Sequence, residues 1–101
     1  MNRPHLYRRA LAAWGIPAQM DMLHEEIGEL LTAIGHHKRG RNTVADVAGE
    51  IADVRIMLEQ LTVILDCAVL VDERMDAKLG RLEERVEAAE RAVKNPLRGG
   101  A

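Results

Sequence analysis

Two carboxylate pairs, Glu26-x-x-Glu29 and Glu50-x-x-Asp53, are the residues of this sequence whose types and spacing can do chemistry. Residues three apart share a helix face, and a helix rises about 1.5 Å per residue. A helix ending near His37, a turn and a second helix starting near Val44 would bring Glu29 level with Glu50 in an antiparallel hairpin, and Glu26 level with Asp53 by the same count. Acids gathered at one height repel and raise one another's pKa unless a cation neutralises them. Ligands that are all oxygens favour a hard cation such as magnesium, which keeps waters and substrate phosphate oxygens in its shell. The chemistry expected is therefore metal-assisted work on phosphates.

Other metal chemistries fit less well. His24-Glu25 opens like the zinc-protease pattern His-Glu-x-x-His, but position 28 is Gly and the second ligand is missing. A di-iron carboxylate bundle needs Glu-x-x-His on two helices, and neither His36 nor His37 has an acid three residues before it. These two histidines suit a helix C-terminus, where they interact favourably with the helix dipole. The single cysteine, Cys67, can form no internal disulfide and has no companion at metal-ligand spacing, so it reads as a half-buried thiol.

The elements that must position the acids are helices. Pro4 can occupy the first turn of one running to about Trp14, and Gly15 supplies a stop before Pro17 opens the next. From Pro17 to about His37, Met20, Leu23, Ile27, Leu30, Leu31 and Ile34 recur at three- and four-residue spacing as one apolar stripe. Lys38 to Asn42 break the pattern, and Thr43 followed by Asp46 resembles an N-cap with an acid in the first turn. The third helix carries Val47, Ile51, Val54, Leu58, Leu61 and Leu65. The pattern falters at Asp66 and Cys67, and a fourth helix follows. There Met75, Leu79, Leu82, Val86, Ala89 and Val93 alternate four and three apart, the narrow seam of a coiled coil, which implies a partner helix. Asn95, Pro96, Gly99 and Gly100 end the periodicity, so residues 95–101 are expected to form a flexible tail.

On a helical wheel, Gln19, Met22, Glu26 and Glu29 form a second stripe beside the apolar one, and Glu50, Asp53 and Met57 flank the third helix in the same way. Asp21, Glu25 and Glu59 fall farther round and read as solvated charges. The interior must be filled by Leu, Ile, Val, Ala and Met, since Phe is absent and Trp14 and Tyr7 are the only aromatics. Trp14 is assigned to the core, with stacking on a nucleotide base as the alternative use.

A chain of 101 residues has room for one modest core, so any function must be built into it. No apolar run approaches the roughly 20 residues that span a bilayer, and the N-terminus lacks a signal-peptide segment. A cytoplasmic protein with no membrane association is expected. The net charge of −2 gives no broad nucleic-acid surface.

Glu25-Glu26-Ile27-Gly28-Glu29-Leu30 and Glu50-Ile51-Ala52-Asp53-Val54, in this order and joined by a Lys-Arg-Gly-Arg turn, resemble the two acidic motifs of the all-α nucleoside triphosphate pyrophosphohydrolases, specifically the small MazG-like proteins. The resemblance covers residues 5–90. It implies a four-helix, antiparallel, homodimeric or homotetrameric bundle over residues 1–94. It also implies cleavage of a nucleoside or deoxynucleoside triphosphate to the monophosphate and pyrophosphate. Glu26, Glu29, Glu50 and Asp53 would hold magnesium, with manganese as a possible substitute, against the triphosphate. A metal-activated water would attack the α phosphorus, with Glu29 or Glu26 as the base. Lys78 and Arg81, level with Glu50 and Asp53 if the fourth helix doubles back, and Lys38 and Arg41 in the turn, are the candidate phosphate partners. The family's Asn near that basic residue is replaced by Asp76, itself a possible ligand. Gln19 is a candidate for the base pocket.

Two readings from other classes compete. A non-catalytic helical oligomerisation or regulatory module could keep the carboxylates for metal-dependent folding or for nothing, and would tolerate their replacement by amides. Nucleic-acid binding would rest on Lys38 to Arg41 alone, with no aromatic platform or recognition helix.

Overall fold

The structure, a computed structural model, describes residues 1–94, and these are all-α. The four helices are α1 (Arg3–Trp14), α2 (Ile16–Lys38), α3 (Val44–Ile64) and α4 (Ala68–Lys94). The expected tail, 95–101, lies outside the described residues. No described helix is long and apolar enough to cross a membrane.

Local chemistry sets the boundaries. The Asn2 side chain caps α1 by accepting from the His5 amide at 3.0 Å, and Pro4 sits in the first turn, where its missing N–H costs nothing. Gly15 ends α1 and precedes α2 at φ 84°, a conformation that L side chains rarely adopt. At the far end of α2 the side-chain amide of Asn42 donates to the Ala33 carbonyl at 3.0 Å and ties the turn back onto the helix. Thr43 and Asp46 then form a reciprocal capping box. The Thr43 amide donates to Asp46 Oδ2 at 2.8 Å, and the Asp46 amide donates to Thr43 Oγ1 at 3.2 Å. The Thr43 amide and the Thr43 hydroxyl, which donates to the same oxygen at 3.0 Å, hold the Asp46 carboxyl below the usual range. Asp66 takes the left-handed conformation at φ 50° after α3, and the Cys67 amide returns to the Thr62 carbonyl.

The chain divides into two compact units, Met1–Cys67 and a second beginning at Ala68. In the first unit, α2 and α3 form an antiparallel hairpin across a short turn, and α1 packs mainly on α3. The Tyr7 hydroxyl donates to the Glu59 carboxylate, which also pairs with Arg3 at 2.9 Å. Glu59 is thus an anchor for α1, not the freely solvated charge its place on the wheel suggested.

The packing seam takes the inner half of the expected apolar stripe and adds polar and small residues beside it. The less exposed positions on α2 include Gln19, Leu23, Glu26, Leu30 and Ala33, and on α3 they include Val47, Glu50, Val54, Met57 and Leu61. Their alternating three- and four-residue spacing is that of a close helix pair. Ile27, Leu31, Ile34, Ile51 and Leu58, assigned to the stripe by periodicity, are exposed. Each helix carries a broad apolar arc, and a two-helix hairpin buries only the arc's inner edge against its neighbour. Trp14, assigned to the core, is 69% exposed at the end of α1.

In the second unit, α4 buries none of its residues. Its seam side chains Met75, Leu79, Leu82 and Val86 are about half exposed.

Thr43→Ala removes one arm of the capping box and is expected to lower the unfolding free energy by about 1 kcal/mol, with Thr43→Ser close to wild type, as read by urea denaturation.

Candidate metal centre

Glu26 enters the hairpin interior because it occupies a seam position of α2, between Leu23 and Leu30, and Glu50 does so on α3, between Val47 and Val54. Glu29 stands one turn beyond Glu26, and its more exposed side chain leans to the same level. One carboxylate oxygen from each of Glu26, Glu29 and Glu50 comes within 4.8 Å of the other two. A hard cation at about 2.0 to 2.6 Å from each ligand bridges oxygens at such separations.

The three carboxylates are held together without an internal counter-charge. Among the described residues the ion pair is Arg3 with Glu59, on another part of the first unit. Glu26 Oε2 and Glu50 Oε2 are both buried and make no hydrogen bond. Burial pushes the Glu26 carboxyl above its ordinary range, and the charges of Glu29, Asp53 and Glu50 push it further. Glu50 is raised by burial and then by Glu29 and Asp53. Glu29 is within hydrogen-bonding reach of both. A buried oxygen without a donor is costly, and the two carboxylates that carry one, on facing helices, converge with Glu29 in a set that fits a divalent cation. This set agrees with the oxygen-only ligands expected from the sequence.

Asp53 lies outside the close trio. It is exposed on α3 and acts on Glu26 and Glu50 through its charge. Gln19 is 6% exposed and sits in the packing seam two turns before Glu26, so it is a core residue of the hairpin. Met22, from the same stripe, is exposed.

A cleft of about 630 Å³ opens beside the trio, and Glu25, Glu29, Thr32, His36, Asn42 and Glu50 are among its walls. Lys38 and Arg41 do not line it; both are exposed at the turn. Lys78 and Arg81 lie on α4 and share a groove with Arg85. Sequence reasoning passed over Asn42, whose Oδ1 is buried and unpartnered while its amide fastens the turn. The available signal was an Asn directly before a capping Thr. His36 and Glu25, assigned to solvent, are exposed, and they stand at the cleft wall. No protein-family model, curated protein or solved structure matches this chain.

The raised carboxyls fix a sign. A folded-state pKa above the unfolded value means that the folded chain binds protons more tightly, so stability falls as pH rises through the interval between the two. Without divalent cations, the melting temperature is expected to drop as pH climbs from the ordinary carboxylate range toward neutrality. Glu50→Gln should flatten that drop and melt higher than wild type at neutral pH. Magnesium should raise the wild-type melting temperature and leave the variant unmoved. Differential scanning calorimetry with and without the ion checks all three.

Proposed function

We propose that this chain is a magnesium-dependent nucleoside triphosphate pyrophosphohydrolase of the MazG-like kind. The observation that carries this reading is the pair of buried, unpartnered carboxylate oxygens of Glu26 and Glu50, which meet Glu29 at the edge of an open cleft. Carboxylates placed where a helix pair would otherwise bury apolar side chains weaken the free chain. Binding a cation, and through it a polyphosphate, offsets that cost.

The roles divide by exposure. Glu26 and Glu50, fixed by the seam, would hold the ion, and Asp53 would add negative charge alongside. Bound there, magnesium would neutralise phosphate charge and lower the pKa of a coordinated water. Glu29, the most exposed of the trio, would accept the proton of the attacking water at a carboxylate oxygen. In the balanced reaction a water oxygen bonds to the α phosphorus, the α–β anhydride bond breaks, and the monophosphate and pyrophosphate leave. Lys38 and Arg41, on flexible side chains at the turn, are candidates to meet phosphate oxygens. Manganese would substitute for magnesium, since it accepts the same ligands in the same geometry. The exposed line Ile27, Leu31, Ile34, Ile51 and Leu58 supports assembly of two or more copies.

The same exposed line favours one alternative, a non-catalytic oligomerisation module in which the acids only couple assembly to metal.

Incubation with a panel of nucleoside triphosphates and magnesium is expected to yield monophosphate and pyrophosphate in equal amounts, with turnover reduced at least about 100-fold by Glu50→Gln. Orthophosphate as the primary product would contradict the assigned bond. No turnover in a folded protein whose melting temperature still responds to magnesium would favour the module.

A further inference from the structure

The fourth helix presents a line of partly exposed apolar side chains. Met75, Leu79, Leu82 and Val86 are about half exposed, Val93 more so, and the helix buries no residue. Their spacing assigns Leu79, Val86 and Val93 to the a positions of a heptad and Met75, Leu82 and Ala89 to the d positions. Val86 and Val93 at a with Leu82 at d are the choices that favour two strands.

Charges on the two flanks carry more information than the seam. The e positions are Asp76, Glu83 and Glu90, and the g positions that hold a charge are Lys78 and Arg85. Every charge on one flank is negative, and every charge on the other is positive. In a parallel pair, each g residue faces the e residue of the following heptad on the other strand, so Lys78 meets Glu83 and Arg85 meets Glu90 on both sides of the seam. Only Asp76 is left without a cation, because it faces Val71. An antiparallel pair would set g against g and e against e. Cations would then face cations and acids would face acids.

Of these flank charges only Glu90 has an opposite charge at helix-pair spacing along its own helix, Lys94 four residues on. Lys78 has Arg74, Met75, Arg81 and Leu82 at the three- and four-residue spacings where helix ion pairs form, and Arg85 has Arg81, Leu82, Ala88 and Ala89. Glu83 likewise has no cation at those spacings. Lys78, Arg81 and Arg85 line a shared groove of about 450 Å³, and no ion pair forms on α4 among the described residues. Arg81 has Glu84 three residues on, but Lys78 and Arg85 have no acid at such spacing, and their charges call for acids from outside the helix.

We propose that α4 pairs with α4 of a second copy of this chain as a parallel, in-register, two-stranded coiled coil, clasped by Lys78–Glu83 and Arg85–Glu90 pairs between the strands. The pairing is independent of any catalytic role. It assigns Lys78 a protein carboxylate as its partner and leaves Arg81, which lies off the flank, free.

Light scattering on the full chain, coupled to size exclusion, gives the test. The double variants Lys78→Glu/Arg85→Glu and Glu83→Lys/Glu90→Lys should each show half the wild-type mass, since each puts like charges across the pair. Mixing the two in equal amounts should restore the full mass. The conservative double variant Arg85→Lys/Glu90→Asp should keep it. Circular dichroism establishes that each variant retains its helix. For orientation, the Cys67→Ala/Ala89→Cys variant should form a disulfide-linked dimer on mild oxidation, because only the parallel arrangement brings position 89 beside its own copy. A monomeric wild type would mean that α4 is covered by its own chain. A dimer without the crosslink would mean antiparallel pairing, and double variants of undiminished mass would place the interface elsewhere. Each of these results overturns the proposal.

Discussion

Like-charge repulsion inside a packing seam is the constraint on which the first unit depends. Glu26 and Glu50 stand where Leu or Ala would complete the contact between α2 and α3, and each has a carboxylate oxygen cut off from water and from any donor. The hairpin must therefore be held by what lies above and below that level. Leu23, Ala33 and Met57 supply the apolar packing. Asn42 and the Thr43–Asp46 box fix the turn. The acids are kept together by a scaffold that does not need them, which is the relation expected when stability is surrendered at a working site.

The rest of the first unit follows from the same hairpin. Only one edge of each apolar arc is used inside it, so a second line faces outward. α1 covers part of α3, held by a hydroxyl and a guanidinium that converge on Glu59. With Tyr7 the only buried residue of α1, this polar anchor does for the helix what a larger apolar face would otherwise do.

Helix positions were legible in the sequence because their signals are local. Gly15, Pro17 and the Thr43–Asp46 pair act within a few residues of themselves, and the boundaries fall beside them. The gathering of Glu26, Glu29 and Glu50 was legible too, because it depends only on the rise per residue and an antiparallel turn. Rotation of the helices about their own axes was not. Ile27 and Leu30 are equally apolar and equally well spaced, and only the neighbouring helix decides that Leu30 turns inward and Ile27 outward. The same rotation carried Gln19 into the seam and left Asp53 outside the trio. Trp14 was misplaced for a different reason: its size suggested burial, but at the last turn of α1 it only borders a shallow cavity with Ile56 and Gln60 of α3 and stays exposed. Asn42 escaped notice because a residue in a turn has no periodicity to betray its contacts.

The bond between Tyr7 and Glu59 joins residues 52 positions apart, whereas the α2–α3 contacts close across a short turn. Loop-closure entropy is therefore small for the hairpin and larger for α1. Chains dominated by such near-neighbour contacts fold rapidly. The acidic centre belongs wholly to the hairpin, so forming the site requires only the short closure and not the longer one that brings α1 to Glu59.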